Sequence, residues 1–298
     1  MATSDSPEEL VPPLSDLSSP PPGLVQQLRT QGLVVTGARF ETLYGGRTNQ
    51  VWKVLGGDGD KVLKLYQTTL RNPLFRNDAE LEARCLKALE YSGFVPRLRA
   101  TGQHQNDHWV FYDHAPGSPW RERPEPVAEL LRKLHSHPAL KVAPEGCNGS
   151  VDLASHGQKI LDGCASETRL KLIELRPAHT VPPTNRTCLI HGDPVAGNIL
   201  VAESGLTLID WQCPAVGDPC EDIALFLSPA MQRLYRGAPL SAKEIDRFLS
   251  SYEHPSIIAR FESLRPWFAW RMAAYCLWRV ENGATDYSEG LRLEMETL

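Results

Sequence analysis

The 298-residue chain has no apolar run approaching the roughly 20 residues that a membrane span needs. Its first residues, Met1-Ala2-Thr3-Ser4-Asp5, lack the basic start and apolar stretch of a secretory signal. A cytoplasmic chain with no membrane partner is therefore expected. Charge of one sign is not gathered anywhere: 31 Lys and Arg stand against 36 Asp and Glu, a formal net charge of −5, and the arginines are scattered. That argues against a nucleic-acid partner, which needs basic residues on one face. The seven cysteines form no C-x-x-C pair, and an odd number cannot all bridge within one chain. No second Cys or His pair completes a zinc-type spacing, so reduced thiols and no zinc site are expected. Internal repeats are also missing. What is present is 42% hydrophobic and 22% charged residues, enough for a sizeable core, in a length that fits about two lobes around one cleft.

The first 22 residues hold six prolines, including Pro20-Pro21-Pro22, and predict a flexible tail. From Gly23 the pattern changes. A short helix is expected over 24–33, then three antiparallel strands over 39–44, 50–55 and 61–66, bounded by glycines. Leu81, Cys85, Leu86 and Leu89 recur at helical spacing and predict a helix over 77–91. Segments 96–101 and 108–112 complete a sheet, giving an N-terminal lobe over 23–112. Beyond Asp113 the chain reads as mainly helical, with helices over 126–135, 155–175, 241–252 and 264–281 and short buried strands over 187–190, 198–201 and 206–209. The expected architecture is α+β and two-lobed, with a small β-rich lobe and a larger helical lobe over 113–298.

The densest chemistry is Leu189-Ile190-His191-Gly192-Asp193-Pro194-Val195-Ala196-Gly197-Asn198, followed by Leu208-Ile209-Asp210-Trp211. Asp193 and Asn198 are five apart, the spacing of a kinase catalytic loop, in which the Asp takes the proton of the acceptor hydroxyl and the Asn binds a metal. Asp210, at the end of a strand, stands where such enzymes keep their second metal ligand. A divalent ion that bridges phosphate oxygens wants hard donors, so the amide oxygen of Asn198 and the carboxylate of Asp210 suit Mg2+. Asp193 is the carboxylate left over for the attacking hydroxyl.

His-Gly-Asp-x-x-x-x-Asn followed by Ile-Asp-Trp resembles the aminoglycoside phosphotransferase and choline kinase family, small-molecule kinases with a protein-kinase-like fold. The resemblance runs from about Thr42 to Leu227 and is strongest over 189–227. It implies ATP and Mg2+ as cofactors, Asp193 as base, and Asn198 and Asp210 as metal ligands. It also implies a nucleotide loop at Gly45, Gly46, Thr48 and Asn49. By themselves, two glycines between strands are an ordinary hairpin, and this loop does not match G-x-G-x-x-G. Lys64 stands where the family places the lysine of the α- and β-phosphates, with Glu82 preferred to Glu80 as its partner. The carbonyl of Asp113 and the N–H of Ala115 would read the adenine edge. His191 and Asp222 match family positions as organisers of the loop, Asp222 also as a helix cap, and His135 matches one as a packed histidine at a helix end.

The family often carries an acid after Ile-Asp-Trp, whereas this chain has Gln212, which lowers the expectation of a polycationic acceptor. Trp267, Phe268, Trp270, Tyr275 and Trp278 could wall a site for a quaternary ammonium or thiazolium by cation–π attraction, or simply pack a helix. With Glu221 and Glu281 as further acids and no arginine cluster, the expected partner is a small neutral or cationic alcohol of the choline, thiamine or aminoglycoside kind. A nucleotide-binding pseudokinase or regulatory protein would have lost a base or metal ligand, and none is lost. A protein kinase should carry Ala-Pro-Glu after an activation loop, and no such segment is recognisable.

Overall fold

A computed structural model describes residues 19–43, 48–67, 72–137 and 143–298. Residues 1–18 of the expected Pro-rich tail lie outside the described residues, as do Gly45 and Gly46 of the expected nucleotide loop. The chain opens with α1 (Pro22–Thr30), then β1 (Arg39–Thr42), β2 (Gln50–Leu55), β3 (Lys61–Leu65), α2 (Ala79–Ala88), β4 (Leu98–His104) and β5 (Asp107–Asp113). The five strands form one antiparallel sheet in the order β1-β2-β3-β5-β4. The second half comprises β6 (Ser118–Pro119), α3 (Glu125–His135), α4 (Ser150–Asp162), α5 (Glu167–Glu174), β7 (Cys188–Ile190), β8 (Ile199–Ala202), β9 (Gly205–Leu208), β10 (Ala215–Gly217), α6 (Cys220–Leu227), α7 (Pro229–Tyr235), α8 (Ala242–Ser251), α9 (Pro255–Glu281) and α10 (Ser288–Met295). The architecture is thus a small antiparallel-sheet lobe and a helical lobe.

Period-two alternation decides where the sheet's polar cargo goes. Trp52 and Val54 on β2, Leu63 and Leu65 on β3, and Trp109 and Phe111 on β5 share one face and pack with Leu24 and Leu28 of α1. Val62 and, just past β3, Tyr66 point the other way, into the cluster that holds Cys85, Leu86 and Leu89 of α2. Lys64 lies between them in the alternation, so it is carried to the α2 side. A register slip of one residue would send it to α1 instead.

The helix expected over 155–175 is two helices. Gly163 ends α4, and the first N–H groups leading into α5, those of Ala165 and Ser166, donate to the Glu281 carboxylate at 2.7 and 3.0 Å. A carboxylate supplied from α9 therefore caps a helix start that its own side chains leave open. Conversely, the last long helix begins at Pro255 rather than 264, because Pro266 gives up one backbone bond without ending it. Strand β10 was not expected, and it pairs antiparallel with β7.

The α4–α9 contact gives a test of packing. A methyl group on Gly157 would sit 2.4 Å from the ring of Trp270, which is fully buried. Gly157→Ala, ordinarily stabilising by about 0.5–1 kcal/mol in a helix, is expected to destabilise by about 1–3 kcal/mol through overpacking, as read by urea unfolding. A second test concerns α10. Burial pushes the Glu294 carboxyl up to about 7, although it accepts hydrogen bonds from the Ser228 hydroxyl and the Ala230 N–H. A raised folded-state value means that stability is full below the ordinary carboxylate range and is lost as pH rises through about 7. Between pH 5 and 8 the wild type should lose about 2 kcal/mol that Glu294→Gln does not.

Candidate active site

Asp193 follows β7, and Asn198 closes the short 3-10 turn that leads into β8. Asp210 follows β9, so both halves of the motif hang from strand ends in the helical lobe. The backbone is built for these positions. Gly192 has φ +80°, and a Cβ there would lie 2.1 Å from the Cys213 carbonyl oxygen, so only glycine fits before Asp193. Asp210 itself adopts φ +66°, a left-handed conformation that aspartate tolerates better than most residues.

Buried groups hold the loop. The fully buried Asp222 carboxylate accepts the N–H of His191 at 2.8 Å, that of Gly192 at 2.9 Å, and the His135 Nε2 proton at 3.0 Å. His135 Nδ1 lies 2.7 Å from the Tyr252 hydroxyl. His191 accepts the Asp193 N–H on Nδ1 at 3.2 Å and donates from Nε2 to the Ile209 carbonyl at 3.0 Å. Burial lowers its pKa, so the ring stands neutral with its proton on Nε2. It ties the segment of Asp193 to the strand end that presents Asp210.

The charged cluster spans both lobes. Lys64 is buried, with its ammonium 2.8 Å from Glu82 and in contact with Asp210. Burial alone would push the lysine's pKa down, but the facing Asp210 and Glu82 charges outweigh it and hold the ammonium ionised. Tyr66 adds its hydroxyl to Glu82. Glu80 is exposed and pairs with Arg84 at 3.0 Å. Asp193 accepts from the Asn198 amide at 3.1 Å, yet burial first and the Asp210 charge second raise its pKa well above the ordinary carboxylate value.

One cavity is lined by Thr48, Asn49, Lys64, Asp193, Asn198 and Asp210, with Glu82 behind Lys64. Asp113 and Ala115 are not among its lining residues; the Asp113 side chain is held by Arg99 at 2.6 and 2.7 Å. Several lining or supporting contacts were not expected: Asn77, Phe75, Tyr235, Tyr287 and Arg279 are in no motif, and Gln212 stands out in the sequence only as a missing acid. Gln212, buried, accepts from Asn49 at 2.9 Å and so bridges the lobes, and Asn77 pairs with Asn49 at 2.7 Å. Phe75, Tyr235, Tyr275, Tyr287 and Arg279 complete the wall. Of the expected aromatic face, Tyr275 lines this cavity, while Trp267 and Trp270 are core residues that donate to the carbonyls of His179 and Leu172. Trp278 stacks on Tyr275. Glu281 caps α5, and Glu221 is paired with Arg271 at 2.7 Å.

Residues 39–267 match the sequence profile of the Phosphotransferase enzyme family. No curated protein sequence matches the chain. Solved structures of similar fold include an aminoglycoside-3'-phosphotransferase of type VIII, at 18% identity and TM-score 0.55, covering 82% of this chain and 97% of that one. A choline/ethanolamine kinase family protein from Mesorhizobium loti is similar at 15% identity and TM-score 0.61, covering 92% of this chain and 93% of that one. Spectinomycin phosphotransferase, solved with ADP and spectinomycin, is similar at 14% identity and TM-score 0.59, with coverage of 92% and 93%.

Asp222 offers a test of the scaffold apart from the chemistry. Asp222→Ala strands two backbone N–H groups and one imidazole donor in the core, and should cost about 3 kcal/mol or more in urea unfolding.

Proposed function

Because the chain belongs to the phosphotransferase enzyme family, we propose that it moves the γ-phosphate of ATP to a hydroxyl of a small neutral or cationic alcohol. The observation that carries this reading is the single cavity that gathers Lys64 from the sheet lobe with Asp193, Asn198 and Asp210 from the helical lobe. In it, Lys64 is oriented by Glu82 to meet the α- and β-phosphates. Thr48 and Asn49 take the phosphate side, a role that the family resemblance also gives to Gly45 and Gly46, and the Asp113 carbonyl and Ala115 N–H take the adenine edge. Asp193 receives the acceptor's proton; a carboxylate whose pKa is raised by burial is the better base near neutral pH.

The donor set suits Mg2+. Asn198 spends its amide nitrogen on Asp193, which leaves an oxygen, and Asp210 contributes a carboxylate only partly engaged by Lys64. Two hard oxygens are a usual protein share for this ion, with phosphates and water supplying the rest. When bound, the ion neutralises charge on the phosphates. The acceptor class is supported by the tyrosine-lined wall beside two carboxylates. The similar fold of a choline/ethanolamine kinase family protein and the ADP and spectinomycin held by spectinomycin phosphotransferase support the same reading.

The test is an ADP-release screen over choline, ethanolamine, thiamine, aminoglycosides, homoserine and methylthioribose, with Asp193→Ala as the blank. Asp193→Ala should slow transfer by about 10²–10⁴-fold with nucleotide affinity little changed. Asp210→Asn should cut turnover sharply in a folded protein, and Lys64→Met should raise KM for ATP or lower kcat. Activity confined to anionic alcohols or to a protein overturns the acceptor class, and near wild-type turnover of Asp210→Asn overturns the metal assignment.

A further inference from the structure

Arg279 places a guanidinium on the wall of the cavity that holds Lys64, Asp193, Asn198 and Asp210. Its Nε is buried with no hydrogen-bond partner, and among the described residues no carboxylate pairs with it. Lys64, by contrast, is matched by two carboxylates. The arginine is steadied from behind. Its Cζ lies 4.9 Å from the centroid of the Tyr287 ring, and Tyr287, itself buried, meets Tyr275 edge-on at 5.8 Å. Tyr275, one helical turn before Arg279 on α9, lies within electrostatic reach of both Arg279 and Asp193. Guanidinium and base thus face one small volume.

A buried donor without an acceptor is costly, and more so when it is charged. An anion from outside the chain would supply the missing acceptor. The cavity already holds two carboxylates, Asp193 and Asp210, which disfavour an acidic acceptor there, whereas a nucleotide brings its charge together with its cation. Lys64 shares its charge between Glu82 and Asp210, so a second side-chain cation facing the terminal phosphate adds to what Lys64 and Mg2+ supply.

We propose that Arg279 binds the γ-phosphoryl group of the nucleotide and neutralises its oxygens during transfer. This rests on the kinase reading of the cavity. In the step, the bond from γ-phosphorus to the bridging oxygen breaks and leaves ADP. A bond to the acceptor oxygen forms, and the acceptor's proton passes to Asp193. Arg279 makes and breaks no covalent bond; its planar fork of donors matches phosphate oxygens.

The experiment compares Mg2+–ADP with Mg2+–AMP-PNP by titration calorimetry on wild type, Arg279→Gln and Arg279→Lys, with thermal unfolding to establish that each variant is folded. Arg279→Gln should weaken AMP-PNP by about ten- to a hundredfold, as for a lost charge-assisted bond, and leave ADP within about twofold. Arg279→Lys, a point charge without the fork, should fall between, and it carries the test if the glutamine variant does not fold. Unchanged AMP-PNP affinity in a folded variant overturns the proposal. So does an effect confined to the KM of anionic alcohols, which would assign the guanidinium to the acceptor. If the wild type binds neither nucleotide, the kinase reading itself fails.

Discussion

The arrangement of the two lobes depends on one constraint: an ammonium buried at the inner face of the sheet must find carboxylates. Taking such a charge out of water costs several kcal/mol unless it is paired. Lys64 satisfies this with Glu82 from α2 and Asp210 from the helical lobe. The first contact fixes how α2 lies against the sheet, since Glu82 can reach Lys64 only while Cys85, Leu86 and Leu89 are seated in the core. The second joins the lobes across the cleft, where Asn49 and Gln212 make a parallel neutral link. A salt bridge and an amide pair close one gap, and the cavity takes its shape between them.

The same burial that forces Lys64 to be paired also sets the chemistry of Asp193. Three carboxylates, Glu82, Asp193 and Asp210, share surroundings with one lysine, and Lys64 is in contact with Glu82 and Asp210 only. Asp193 is left with an amide from Asn198, which is too weak to offset desolvation and the neighbouring Asp210 charge, so its pKa rises. The asymmetry separates two otherwise similar aspartates: Asp210 faces a cation, and Asp193 has its affinity for a proton raised, which is what the proposed base role asks of it.

The legible part of the molecule was the part written locally. His191, Gly192, Asp193 and Asn198 sit within eight residues, and the two ends of that segment are strands short and apolar enough to recognise. The sheet was legible too, because glycines bracket alternating runs; the α2 helix followed from period 3.6, whereas Lys64 was marked out only by the family resemblance. What escaped was made by distant segments. Nothing near Gln212 signals that it bonds Asn49, 163 positions away. The break between α4 and α5 was hidden because its cap comes from Glu281, and the sequence left the tryptophans of α9 open between ligand wall and helix packing, which Gly157 and the carbonyls of His179 and Leu172 decide for Trp267 and Trp270.

That division has a consequence for specificity. Asp193, Asn198 and Asp210 hang on strand ends locked by Asp222 and His191, so their geometry is set by buried hydrogen bonds independent of what fills the cavity. The opposite wall is built differently, from Phe75 ahead of α2, Tyr235 at the end of α7, Tyr275 on α9, and Tyr287 beyond it. These side chains touch one another, as Phe75 and Tyr275 do edge-on at 5.3 Å, but they form none of the hydrogen bonds that hold the Asp193 loop. Exchanging one of them alters the shape and polarity presented to a ligand while Asp193, Asn198 and Asp210 stay in place. A scaffold of this kind can change its acceptor without rebuilding its chemistry, which is why residues 189–211, enough to point to a phosphotransferase, leave the acceptor to be decided by the far wall.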